Sequence, residues 1–101
     1  MTRRVRIIDR EHLERVKALP CIVCGRMGPS DAHHVRVGPD GRHYGMGQKA
    51  DDTETIPLCK LHHQYGDASY HAGPRTFVER YGHERMLLEK TLALLSVYDV
   101  D

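Results

Sequence analysis

Three cysteines occur in this chain, and all of them fall in two short segments whose spacing is that of metal ligands. Cys21-Ile22-Val23-Cys24-Gly25 is a Cys-x-x-Cys-Gly knuckle, and Pro57-Leu58-Cys59-Lys60-Leu61-His62-His63 supplies Cys-x-x-His. Thiolate and imidazole donors in that spacing suit a tetrahedral zinc ion. Gly25 can adopt the positive φ at which a chain wraps a metal. On a helix Cys59 and His62 share a face, so both can close on the ion held by the knuckle. Cys59 with His63, at i and i+4, is the geometric alternative. An odd cysteine count with this spacing points away from a disulfide framework and toward a reducing, cytoplasmic setting.

A chain of 101 residues is expected to be one small domain, with a core at about 20–72. One Phe and no Trp leave it little bulk for a core, so a metal staple is physically useful. Structural zinc is worth about 10–16 kcal/mol in finger-like peptides. The whole folding free energy of a small domain is about 5–15 kcal/mol. No apolar run is long enough for a membrane span or a signal segment.

Asp9 is an N-cap candidate for a helix over about 9–19, with Leu13, Val16 and Leu19 on one face and Pro20 as its stop. Glycines and prolines over 26–50 predict loops and short strands, Ala32 to Val37 being one strand and Thr53 to Ile56 its return. Pro57 suits the first turn of a helix bearing Cys59, His62 and His63, with Gly66 ending or distorting it. Gly73-Pro74 opens a further helix that Gly82 ends, and residues 83–98 form a last one. Flanking helices therefore cover about 9–19 and 74–98, with Met86, Leu87, Leu94 and Leu95 expected against the zinc module. The fold class is α+β.

The formal charge is only +1. Its distribution says more: Arg3, Arg4, Arg6, Arg10, Arg15, Lys17 and Arg26 crowd the N-terminal quarter. A basic stripe beside a metal site fits a phosphate-bearing partner, and it also fits an ordinary solvated helix face.

Histidines exceed what one tetrahedral site needs. If His62 serves the zinc, His63 lies about 100° around the helix, toward another face. Neighbouring strand residues point to opposite sides, so His33 and His34 have separate tasks, one ligating a metal and the other facing substrate. A neutral imidazole suits a general base that activates water at neutral pH. A divalent ion beside it would stabilise the charge on a scissile phosphate.

The segments Pro20 to Gly25, Ala32 to Arg36, Gly45 to Asp52 and Pro57 to His63 read PC-x-x-CG, AHH-x-R, G-x-G-x-K-x-x-D and PLC-x-x-HH. Together they resemble the HNH, or ββα-metal, endonucleases with a treble-clef zinc site. The nearest likeness is to small phage and prophage proteins of that type, some linked to recombination. The resemblance runs from about Val5 to Phe77. It implies a nuclease hydrolysing phosphodiester bonds in nucleic acid, DNA foremost, with a structural Zn²⁺ on Cys21, Cys24, Cys59 and His62. It implies His33 and His63 as ligands of a catalytic ion (Mg²⁺, Mn²⁺, Ni²⁺ or Zn²⁺) and His34 as the general base. His71 is the expected third ligand and Asp67 its alternative. On an unbroken helix His63 and His71 would stand about 12 Å apart, so His71 requires a break at Gly66.

The family's middle asparagine is missing, because the chain has no asparagine. Asp52 is the expected substitute in organising the loop that carries the base. Arg36 and Lys49 are candidates for phosphate contact, and a homodimer or a recombination or replication protein is a candidate partner. His43 and Tyr44 read as surface residues, and His12 and His83 as helix residues without a chemical role. The alternative function is a non-catalytic treble-clef zinc module that binds nucleic acid or a partner protein. The histidine surplus separates the two, since a pure binding finger has no need of it.

Overall fold

A computed structural model describes residues 6–38, 42–44, 49–65 and 69–98. Arg3, Arg4, Gly45, Gly47, Gly66 and Asp67 lie outside them. The element order is α1 (Arg10–Lys17), β1 (Asp31–His34), β2 (Thr55–Leu58), a π-type turn at Leu61–Tyr65, α2 (Pro74–Tyr81) and α3 (Glu84–Tyr98). The chain is thus a small α+β unit, a two-stranded sheet with helices against it.

Asp9 caps α1 by accepting from the His12 N–H at 3.0 Å. Val16 and Leu19 form a buried stripe that meets Leu95 of α3, with Ala32 of β1 packed alongside. β1 and β2 pair antiparallel, Asp31 opposite Leu58 and His33 opposite Ile56. Strand alternation therefore puts Asp31, His33, Ile56 and Leu58 on one face of the sheet. That face carries the main core, where Ile56 and Leu58 meet Val35, Tyr70, Phe77, Leu87 and Leu88. His34, with Thr55 opposite, belongs to the other face.

Both strands differ from the sequence reading. β1 is shorter than Ala32 to Val37, starting at Asp31 and ending at His34, and only an isolated bridge from Val37 to His43 continues it. β2 begins at Thr55 rather than Thr53, because Asp51 to Glu54 form a turn closed by Glu54 N–H to the Asp51 carbonyl at 2.8 Å. It runs through Pro57, which is a strand residue and not a helix start. The Pro57 carbonyl accepts from Ile22 N–H at 2.9 Å, so its backbone polar edge faces the knuckle and not β1. A missing N–H costs nothing on that edge.

Gly73 and Gly82 bound α2 as the sequence predicts, with Pro74 in its first turn and Gly82 at φ 106°. In α3, Glu84, Leu87, Leu88, Thr91 and Leu95 are buried at i, i+3, i+4, i+7 and i+11, a single helix face. Met86 lies off that face and is 43% exposed, contrary to its expected packing, and Leu94 and Leu95 pack beside α1 rather than on the cysteine module as expected. His83 precedes α3, and its Nδ1 accepts from Arg85 N–H at 3.1 Å. Tyr44 is more than a surface residue, since it packs on the core and its hydroxyl donates to Glu54 at 2.9 Å. Among the described residues, no helix is long and apolar enough to cross a membrane.

Phe77 is fully buried, with the rings of Tyr70 and Tyr81 at 5.3 and 5.1 Å. Phe77→Ala should cost about 3–5 kcal/mol, read as a lowered urea midpoint in chemical denaturation.

Candidate metal centres

The knuckle is a tight loop. Gly25 N–H donates to the Cys21 carbonyl at 2.8 Å, Cys21 N–H donates to the Arg26 carbonyl at 2.9 Å, and Gly25 sits at φ 75°. The Ile22–Pro57 bond moors this loop to β2, one residue before Leu58 and two before Cys59. Cys59 then closes the next turn, its carbonyl accepting from His62 N–H at 3.1 Å and His63 N–H at 2.9 Å. As a result Cys21, Cys24, Cys59 and His62 converge, with one potential ligand atom from each within 4.8 Å of all the others.

Three of the donor spacings lie near a tetrahedron's edges. With metal–sulfur bonds of about 2.3 Å and metal–nitrogen bonds of about 2.05 Å, S···S edges are about 3.8 Å, S···N about 3.6 Å and N···N about 3.3 Å. Cys24 Sγ to Cys59 Sγ is 3.7 Å, and His62 Nδ1 lies 3.2 Å from Cys59 Sγ and 3.9 Å from Cys21 Sγ. All three cysteines are free thiols. Burial pushes the Cys59 thiol up, but hydrogen bonds from the His62 side chain and backbone outweigh it and bring it down to about 7. Cys24 moves the other way, burial and the hydrogen bonds from Cys21 and Cys59 pushing it up to about 11, so Cys59 is the first of the two to ionise. The Cys₃His group could hold a metal ion such as zinc.

One residue on, His63 turns to a second group. His33, His63 and His71 likewise bring potential ligand atoms within 4.8 Å of one another. Their ring centroids are 4.6 to 5.8 Å apart, and His63 Nε2 lies 3.1 Å from His71 Nε2. His71 reaches this place because the chain folds back over the π-type turn. Tyr70 N–H donates to the His62 carbonyl at 2.8 Å and His71 N–H to the His63 carbonyl at 3.1 Å. Those bonds replace the straight helix on which His63 and His71 would be far apart. His33 is buried, His63 half-buried and His71 exposed, so the group opens to solvent on one side.

Carboxylates stand behind two of these rings. His33 Nε2 lies 2.8 Å from Glu84 Oε2, and His63 Nδ1 lies 2.8 Å from Asp31 Oδ2. Burial holds His33 below the usual imidazole range despite the carboxylate beside it. For Glu84 burial acts upward, but the hydrogen bonds from His33, Tyr70 and Arg36 prevail and keep it below its ordinary value. Glu84, Asp31 and Tyr70 were not singled out from sequence. Asp31 had a readable signal, being two residues before His33 and so on its face of the strand. Glu84 had none, since an acid in a helix first turn ordinarily serves the helix dipole.

His34 bonds elsewhere. Its Nε2 lies 2.9 Å from Asp52 Oδ1, and Asp52 also accepts from Asp9 N–H at 2.8 Å and from Arg6 at 3.5 Å. Arg36 is exposed, its guanidinium carbon 5.8 Å from the Tyr70 ring centre. Lys49 is exposed beside buried Ala50. Two further cations of the N-terminal stripe have partners within the chain, Arg15 with the Leu95 carbonyl at 3.4 Å and Lys17 with Glu14 at 3.5 Å.

Burial pushes the Asp52 carboxyl up, but His34, the Asp9 N–H and Arg6 overcome it and hold it below 3.8. A carboxyl depressed on folding stabilises the fold fully above its unfolded pKa and loses that contribution as the pH falls through its folded value. Asp52→Asn should therefore cost about 1–3 kcal/mol near neutral pH. In urea titrations the gap from the parent should stay constant from neutrality to mild acid and narrow once the pH drops below 3.8.

Comparison with known proteins adds membership without adding an activity. The sequence profile described as "Protein of unknown function (DUF968)" matches residues 2–97. "Uncharacterized protein YdfU" of Escherichia coli (strain K12) is 33% identical over 88 residues, which is 87% of this chain and 23% of that protein. The chain thus spans less than a quarter of the relative's length. No solved structure matches it. With both donor groups inside the matched span, the chain belongs to the DUF968 family.

Proposed function

We propose that this chain is a metal-dependent endonuclease of the HNH class, hydrolysing phosphodiester bonds in DNA. The observation that carries the reading is the division of donors between consecutive residues. His62 joins a group of four and His63 a group of three that opens to solvent. Structural zinc sites are closed by four protein ligands, whereas catalytic sites have three and leave a position for water or substrate. The strand, strand and turn that present these residues are in the order expected of a ββα-metal unit, and the knuckle moored to β2 is in keeping with a treble clef.

The residues present fit both ions. Three thiols and an imidazole at tetrahedral spacing suit Zn²⁺. Three imidazoles favour a transition ion such as Ni²⁺ or Zn²⁺ over Mg²⁺, which prefers carboxylate and water oxygens. When bound by His33, His63 and His71, the divalent ion supplies charge stabilisation for the phosphate and its leaving oxygen.

The remaining work falls to the chain. His34 has its Nε2 engaged by Asp52, which fixes the ring and leaves Nδ1 to take a proton from water. The hydroxide so formed attacks phosphorus, a P–O bond breaks, and the departing oxygen leaves with the bond's electron pair. Asp52 does here what the family's asparagine does elsewhere: it holds the base and, through Asp9 and Arg6, the segment behind it. Strand alternation separates the tasks of His33 and His34. Arg36, whose guanidinium lies near the Tyr70 ring, is the favoured cation for phosphate.

Nicking of supercoiled plasmid by metal-stripped protein, with single divalent ions added back, tests this. The parent should nick with at least one transition ion. His34→Ala should lose about 10²–10⁴-fold in rate, the usual worth of a general base, with zinc content unchanged. Cleavage by His34→Ala at the parent's rate would exclude the base assignment. If no ion supports cleavage of any nucleic acid, a zinc module that binds nucleic acid or a protein without cutting becomes the better reading.

In metal analysis and thermal melts, Cys24→Ala should lose its zinc equivalent and its cooperative unfolding. A zinc-replete, cooperatively melting Cys24→Ala would remove Cys24 from the ligand set.

A further inference from the structure

Glu84 is 1% exposed and lies 51 residues beyond His33 in sequence. A carboxylate that deep needs its oxygens satisfied, and this one has four close contacts. His33 Nε2 lies 2.8 Å from Oε2, the Tyr70 hydroxyl donates to Oε1 at 2.9 Å, and the Arg36 N–H stands 3.1 Å from both oxygens. An ionised carboxylate only accepts, so each partner must present a hydrogen to it. For a neutral imidazole that decides the tautomer: Nε2 carries the hydrogen and Nδ1 keeps its lone pair. The Tyr70 ring lies 4.4 Å from the His33 ring and holds it from the side.

We infer that Glu84 is the positioning residue of the second ion site, locking His33 in the Nε2–H tautomer so that Nδ1 is its ligand atom. The inference rests on the three-histidine group being an ion site, and it is independent of whether that ion cuts nucleic acid. It makes α3 part of the centre, although α3 contributes no ligand. Asp31 plays the matching part for His63: it engages Nδ1 and leaves Nε2, the atom 3.1 Å from His71 Nε2. A carboxylate behind a ligating imidazole fixes the ring and raises its basicity, and losing such a partner costs about 10–100-fold in metal affinity or activity.

Glu84→Gln keeps the shape and removes the charge. With its amide NH₂ toward His33, the ring must take the other tautomer and Nδ1 no longer offers a lone pair. With its oxygen toward His33, the tautomer survives on a weaker, uncharged acceptor.

The test uses the 101-residue chain carrying one equivalent of zinc. Long-range ¹H–¹⁵N NMR of the parent should show His33 protonated at Nε2 and bare at Nδ1, and a second equivalent of Zn²⁺ should move the Nδ1 signal. Titration with Co²⁺ should show Glu84→Gln binding this second ion about 10–100-fold more weakly than the parent. Glu89→Gln removes an exposed carboxylate from the same helix and should bind Co²⁺ as the parent does.

Parent protein with His33 protonated at Nδ1 would overturn the assignment, whether or not Glu84→Gln folds. So would Glu84→Gln binding Co²⁺ as tightly as the parent, Glu89→Gln losing as much affinity as Glu84→Gln, or a parent that takes up no second ion. A parent that binds the second ion as described but cuts nothing would uphold Glu84 and dismiss the nuclease.

Discussion

The convergence of Cys21, Cys24, Cys59 and His62 is the constraint around which this chain is arranged. With one phenylalanine and no tryptophan it has limited apolar bulk, and among the described residues the apolar core is a ten-residue cluster with a three-residue cluster beside α1. Cys21 and Cys59 belong to the larger cluster as well as to the donor group. The same atoms that could hold an ion therefore also pack the core. The bond from Ile22 to the Pro57 carbonyl fixes the knuckle against β2, and the Cys59 carbonyl starts the turn that carries both His62 and His63.

That shared turn couples the two centres. His62 and His63 both donate their backbone N–H to one carbonyl, and their side chains serve different groups. Whatever fixes His62 fixes the backbone of His63. The second group is then completed from three directions: β1 brings His33, the fold-back after the π-type turn brings His71, and the start of α3 brings Glu84 behind His33. In the proposed nuclease, the first centre is a foundation for the second.

His33 and His34 show how little chain separates two environments. His33 is shut in with a buried carboxylate and two other imidazoles, and His34 faces Asp52 and the segment before α1. A strand reverses side-chain direction at each residue, so adjacent histidines gain separate partners without any further device. An acidic residue orients each ring, Glu84 for one and Asp52 for the other, and both carboxyls stay below their ordinary range because their hydrogen bonds outweigh burial.

Local pattern was enough to locate the cysteine and histidine segments, the cap at Asp9, the bounds of α2 at Gly73 and Gly82, and the burial of Val16 and Leu19, though α1 ends at Lys17 and Leu13 is only half-buried. Each depends on spacing or on the conformational preference of a single residue. Pro57 misled, because proline at a helix start and proline on a free strand edge share the same fixed φ and missing N–H, and only the partner strand distinguishes them. Whether His62 or His63 joined the cysteines was open to spacing alone; the packing of the π-type turn sends them to different groups. His71 joins His63 through long-range backbone bonds that no helical repeat encodes. Glu84 was invisible in sequence because its role depends on burial against residues about 50 positions away, a property of the folded chain and not of any local motif.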